Sequence, residues 1–297
     1  MSDLRVGAVA TNGTSDVAAD VELDRDLPDA EVVMTRATGE NFSVASYVLG
    51  RRARRHLRAI YGFARFVDDI GDAAPGDRLA LLDLVERDLE RVFVGEPTQP
   101  LLRALVPTVR ELQLPPEPFH RLIEANRQDQ LVTRYASFEE LRAYCALSAD
   151  PVGELVLHVF GRATPERIAL SDRVCTGLQV VEHLQDVGED YAQGRIYLPL
   201  DDMARFEVDE AVFGGARVSE PLRALLAFES ERARSLLEAG VPLIRSLRGR
   251  ARLAVAAYVG GGRAALRALA EADYDVLGTS PRPSRARRAL ETLEALG

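Results

Sequence analysis

The chain has 297 residues, 47% of them apolar and 28% charged, with a formal net charge of −9. That length suits one large domain or two small ones of ordinary soluble composition, and no run of about 18 apolar residues is present to cross a bilayer. The charge is lopsided: residues 1–34 hold eight acids and two arginines, a net of −6, so the remaining chain carries only −3. Every one of the 37 basic side chains is an arginine. A nearly balanced body gives no reason to expect a nucleic-acid partner. The opening MSDLRVGAVATNGTSDVAAD lacks a basic start followed by an apolar block, so the expected location is the cytosol, with peripheral membrane contact left open.

Residues 1–34 are polar, acidic and aperiodic, and read as a disordered tail. A short helix is expected from Asn41 to Leu49. After Gly50, Arg51–Asp72 begins strongly basic and becomes apolar, with Leu57, Ile60, Tyr61, Ala64 and Val67 at helical spacing. Ala73-Ala74-Pro75-Gly76 ends it, and Asp77 can cap the next helix, Arg78–Phe93. Further helices are predicted over Leu101–Leu112, Pro116–Leu131, Phe138–Ala146, Pro151–Phe160, Pro165–Tyr191, Pro221–Leu247, Ala251–Ala270 and Ser284–Leu296. Proline recurs in the predicted first turns, where its missing N–H costs nothing. No alternating strand pattern occurs, so the fold class is all-α, a single helical domain over residues 35–280. Residues 281–297 form a basic extension, read as a solvated helix. Cys145 and Cys175 lie inside apolar helical patterns and read as buried thiols.

Two acidic clusters stand out. Leu178–Pro199 (LQVVEHLQDVGEDYAQGRIYLP) holds Asp186, Glu189 and Asp190 in one predicted helical turn, with Arg195 and Tyr197 just beyond. Residues four apart share a helix face about 6 Å along the axis. Asp186 and Asp190 therefore point the same way, with Gln179, Glu182 and His183 on or near that line. Taken alone, such a pair reads as a solvated acidic face. Phe63–Asp72 (FARFVDDIGD) repeats the arrangement with Asp68, Asp69 and Asp72, and Arg65 stands one turn before them. Two facing helices with two carboxylates each make a cage for Mg²⁺, a hard cation that takes carboxylate and phosphate oxygens. Ions held so can bind a diphosphate and stabilise its departure.

Other sites are poorly supported. There is no GxxxxGK[ST] phosphate loop and no GxSxG elbow. Gly260-Gly261-Gly262 follows no strand and reads as a helix break. The four histidines are scattered, and only His183, near Asp186, is placed to matter.

These residues resemble the squalene/phytoene synthase family of head-to-head isoprenoid synthases. The resemblance spans Thr38–Leu277. Its first aspartate-rich motif stands as Asp68-Asp69-Ile70-Gly71-Asp72 after Tyr61 and Arg65. Its second stands as Asp186-Val187-Gly188-Glu189-Asp190, then Gly194-Arg195-Ile196-Tyr197-Leu198-Pro199. The middle segment runs from Tyr144-Cys145 to Val152-Gly153. Within the family the chain is most similar to bacterial hydroxysqualene synthases of hopanoid pathways, through Glu40–Ser46, Arg127-Gln128-Asp129, Thr133-Arg134-Tyr135 and Ser148–Gly153. It departs from many condensing members at Gly39-Glu40-Asn41, where they carry serines, and at Glu182, where they carry asparagine.

The resemblance implies a helical bundle around a hydrophobic cavity. It implies Mg²⁺ on Asp68, Asp69, Asp72, Asp186, Glu189 and Asp190, with Asp68, Asp72, Asp186 and Asp190 as the catalytic set. The substrate would be an isoprenoid diphosphate, presqualene diphosphate, touched by Phe42, Tyr61, Arg65, Gln179, Arg195 and Tyr197. Phe63 and Phe66 are further wall candidates. Water capture of the rearranged cation would give hydroxysqualene without NADPH, for hand-over to a downstream reductase. A condensing transferase making presqualene diphosphate or phytoene is the alternative, and a non-enzymatic assembly factor a weaker one.

Overall fold

The computed structural model describes residues 26–33, 49–278 and 280–297, and every regular element among them is helical. In chain order these are α1 (Arg51–Ala73), α2 (Arg78–Val94), α3 (Pro100–Leu112), α4 (Glu117–Asp129), α5 (Phe138–Ser148), α6 (Asp150–Val159) and α7 (Pro165–Gln185). Then follow α8 (Val187–Ala192), α9 (Leu200–Arg205), a 3₁₀ turn (Glu210–Gly214), α10 (Glu220–Gly240), α11 (Pro242–Ser246), α12 (Gly249–Glu271) and α13 (Arg285–Leu296). Several starts are fixed by side-chain caps. The Asp77 carboxylate accepts from the Ala80 N–H at 3.0 Å, and the Ser137, Thr164 and Ser219 hydroxyls cap α5, α7 and α10 in the same way.

Two apolar cores organise the chain. Phe63, Phe66 and Ile70 of α1 pack with Leu82, Leu102 and Phe119 of α2–α4. Val181 and Leu184 of α7 pack with Leu225 and Leu237 of α10 and Val259 and Leu266 of α12. α6 touches α1, α4, α5 and α7, so it ties the halves together, and α7 packs against α5, α6, α8, α10, α11 and α12. A helix surrounded on so many sides cannot show a clean amphipathic stripe.

Several expectations need correction. The tail reading fails for residues 26–33: residues 30–33 form a helical turn, its Glu31 and Val32 N–H groups held by Asp29, and Val33 is fully buried in the first core. The helix expected over Asn41–Leu49 lies almost wholly outside the described residues. The helix predicted over Pro165–Tyr191 is interrupted at Asp186 (φ −108°, ψ 15°), which ends α7 and opens α8. The helix predicted over Pro221–Leu247 is divided at Val241, ahead of Pro242. Gly260–Gly262 breaks nothing, because α12 runs straight through it. A Cβ on Gly260 would lie 2.5 Å from the Thr292 nitrogen, and one on Gly262 would meet Leu178 and Leu237 at 2.8 and 2.9 Å. These glycines let α13, α7 and α10 come close to α12. Nor is α13 merely solvated: it packs along α12 and buries Glu291, which pairs with Arg267 at 3.4 Å.

Candidate active site

The last two turns of α1 present the first cluster. Asp68 is open to the cleft yet crowded by protein, and desolvation pushes its carboxyl up to about 7 against the hydrogen bond that Asn126 of α4 donates at 3.1 Å. Gly71 makes room for Asn126, whose side-chain oxygen lies where a Cβ on Gly71 would be. Asp69 points elsewhere: it is buried and lies 3.0 Å from the Arg65 guanidinium, an ion pair off the hydrogen-bond line. Asp72, about half exposed, accepts from Arg195 at 2.9 Å. That bond joins α1 to the loop after α8 across 123 residues of chain.

The second cluster is built on the break at Asp186. The Asp190 N–H still bonds the Asp186 carbonyl at 2.8 Å, so the two side chains stay one turn apart despite the kink. Desolvation, then the charge of Asp186, push the Asp190 carboxyl up to about 7, with Arg195 pulling the other way. Desolvation, then Glu189, raise Asp186, while the Ser280 hydroxyl donates to it at 3.3 Å. Glu189 itself is exposed. His183 is buried and stacked on Tyr197, centroids 3.9 Å apart. Its Nδ1 lies 3.9 Å from Asp190, but burial pulls the pKa of the ring down to about 3, so it stays neutral and makes no ion pair there.

Asp129, at the end of α4, links the clusters and was not singled out from the sequence. It accepts from Tyr144 at 2.7 Å and Tyr197 at 3.2 Å, and desolvation pushes it up to about 6 despite both bonds and the nearby Arg195 charge. Its charge in turn raises Asp68. The available signal was positional: Asp129 continues the stripe Leu122, Ala125, Asn126 that α4 buries. Tyr135, Tyr144 and Tyr197 stand together there, with Tyr135 and Tyr197 stacked at 5.8 Å.

Beside the carboxylates lies a largely apolar cavity of about 250 Å³ between the two halves of the fold. Tyr61 of α1, Val152 and Val156 of α6, and Leu178, Gln179 and Glu182 of α7 line it, with α11 and α12 closing the far side. Tyr61 and Gln179 are thus part of its lining. Gln179 also lies 3.4 Å from the His183 ring nitrogen. Phe63 and Phe66 do not line the cavity. Phe63 lies two residues and about 200° round the helix from Tyr61, and it packs edge-on against Phe119 at 5.3 Å instead. Phe42 lies outside the described residues. Cys145 is buried and Cys175 lies on the cavity wall, both free.

The donor set suits a hard cation. Asp68, Asp72, Asp186 and Asp190 offer oxygen ligands, but among the described residues no three His, Cys, Asp or Glu side chains converge to hold an ion by themselves. A hard cation such as Mg²⁺ commonly takes one or two carboxylates and fills its remaining positions with water and phosphate oxygens. Among the described residues no helix is long and apolar enough to cross a membrane.

Comparison with known proteins agrees with this architecture. The squalene/phytoene synthase family profile matches residues 35–289. A hydroxysqualene synthase of Rhodopseudomonas palustris is 39% identical over 215 residues, 70% of this chain and 72% of that one. A phytoene synthase of Arthrospira platensis is 34% identical over 226 residues, 70% of this chain and 73% of that one. The crystal structure of squalene synthase HpnC from Alicyclobacillus acidocaldarius superposes with a TM-score of 0.77 at 44% identity, covering 86% of this chain and 97% of that one.

Proposed function

The chain belongs to the squalene/phytoene synthase family, the head-to-head prenyltransferases, and from that premise we propose that it converts presqualene diphosphate and water to hydroxysqualene and diphosphate, with Mg²⁺, in hopanoid biosynthesis. One observation carries the reading: carboxylates on α1 and on α7–α8 stand beside an apolar cavity, so a charged head and a hydrocarbon tail have adjoining sites. The hydroxysqualene synthase relatives, at 36% and 39% identity, support the choice of product.

Asp68, Asp72, Asp186 and Asp190 would hold Mg²⁺. When bound, the metal neutralises the diphosphate and makes it a better leaving group. Arg195 is placed to take a diphosphate oxygen, because its guanidinium already reaches Asp72 across the cleft and is felt at Asp190 and Asp129. Tyr197 presents its hydroxyl to Asp129 and keeps the Arg195 loop in register. The substrate ionises to a cyclopropylcarbinyl cation, which rearranges beside the Tyr61 ring, and an aromatic face stabilises such a cation by roughly 0.5–2 kcal/mol. Water captures the rearranged cation. The alcohol stays apolar, which suits contact with a membrane face or hand-over to a downstream reductase.

Incubation with Mg²⁺ and presqualene diphosphate, without reductant, is the test, and hydroxysqualene is the expected product. Turnover of farnesyl or geranylgeranyl diphosphate alone, giving presqualene diphosphate or phytoene, would overturn the reading in favour of a condensing enzyme.

A further inference from the structure

A second cavity, of about 510 Å³, opens between α1 and α3, and among the described residues it shares no lining with the apolar one. Arg51, Arg54, Arg55 and Arg58 line it, three and four residues apart and so on one face of α1. Small or apolar side chains of α1 and α3, such as Ala59, Leu101 and Ala104, complete the wall. Arg58 precedes Asp68 by about 15 Å along the helix, so this face stands apart from the carboxylates. Positive charge gathers here against the local preference. Like charges at that spacing weaken a helix. The stripe also sits at the start of α1, the positive end of the helix dipole, where the first turn carries no acid and the N-cap Gly50 gives no side-chain cap. Arg250 of α12 adds a further guanidinium, which occupies the space where a Cβ on Gly50 would stand. Glu111 of α3 answers only part of this charge, pairing with Arg55 at 2.5 Å and Arg52 at 2.8 Å. Among the described residues Arg51, Arg54 and Arg58 form no ion pair, and the Arg54 Nε is buried without a hydrogen-bond acceptor.

We propose that this α1–α3 groove binds a phosphate group, carried on a lipid headgroup or free in solution. A carboxylate fills a single guanidinium fork, whereas a phosphate has oxygens for several, and the planar forks match its geometry. The uncapped N–H groups at the start of α1 are further donors at the same end of the helix. An anion seated there relieves the repulsion along the stripe, opposes the helix dipole and gives the Arg54 Nε its acceptor. The small side chains of Ala59 and Ala104 leave room for the group between the arginines.

The experiment uses the whole protein in the presence of a chelator, so that the carboxylate cleft holds no metal to attract phosphate. Binding of inorganic phosphate is read by calorimetry. Binding to phosphatidylcholine vesicles, with and without phosphatidylglycerol, is read by sedimentation. Arg54→Gln and Arg58→Gln are made singly and together, beside a double Arg217→Gln, Arg285→Gln control that removes equal charge from exposed positions elsewhere. The double α1 variant should weaken binding at least about tenfold in whichever arm the unmodified protein shows it, and the control less than about twofold. Binding of inorganic phosphate identifies a free anion as the ligand, and binding only to phosphatidylglycerol vesicles identifies a headgroup. Absence of both in the unmodified protein overturns the proposal. So does undiminished binding in the double α1 variant, or an equal loss in the control, which reports charge spread over the whole surface. If the double variant fails to fold in thermal melts, Arg58→Gln alone, at an exposed position, carries the same test. No readout involves turnover, so the result is independent of the function proposed above.

Discussion

Replacing Asp190 by asparagine separates two demands on one carboxylate. Burial, then the Asp186 charge, raise its carboxyl from 3.8 to about 7. The folded acid thus keeps its proton up to about 7, whereas the unfolded acid releases it near 3.8. The stability this adds is complete below the lower value and is lost as pH rises through the upper one. A rise of about three pH units sets a ceiling of about 4 kcal/mol, and water in the cleft reduces it to about 1–2 kcal/mol. Asparagine has no such proton to lose. Urea unfolding of the metal-free proteins from about pH 5 to about pH 8 should therefore show Asp190→Asn pulling ahead of the unmodified chain by about 1–2 kcal/mol at the alkaline end. The same variant with Mg²⁺ should release diphosphate at least about 100-fold more slowly. Parallel pH slopes for the two proteins would refute the burial argument.

Asp72→Asn makes a contrast, because Asp72 is about half exposed. Its loss should change stability by less than about 0.5 kcal/mol in thermal melts, while diphosphate release falls sharply. Tyr197→Phe removes one of the two donors to Asp129. It should cost about 1–2 kcal/mol at pH 8 and less below about pH 6, where Asp129 is protonated, as measured by urea unfolding. Gly260→Ala pushes a Cβ against the α13 backbone and should cost about 1–3 kcal/mol. Gly261→Ala meets open space and should be neutral or slightly stabilising by the same melts.

The parts legible in the sequence were those carried by local pattern. The Asp68/Asp72 pair follows from helical spacing on a helix with a clean apolar stripe, and α1 ends where Ala73–Gly76 predicted. Where α7 is wrapped on many sides, the pattern carried less. Gly260 and Gly262 of α12 answer neighbours far away in the chain, Thr292 for the first and Leu178 and Leu237 for the second, and the Asp186 side chain at the kink takes its bond from Ser280, 94 residues on. Asp129 entered the sequence reading only within the segment Arg127-Gln128-Asp129 and on the buried stripe of α4; its place in the site shows once Tyr144 and Tyr197 converge on it.

The sequence by itself determined an all-α chain, two carboxylate pairs and the family. Each depends on residues a turn or so apart, or on motifs that survive as short strings. Only the tertiary structure decided which carboxylates share the cleft. It drew Asp69 aside to Arg65, joined Asp72 to Arg195 and turned Phe63 and Phe66 into core. It also raised Asp68, Asp129 and Asp190 together, because burial and mutual repulsion act through space and have no period along the chain.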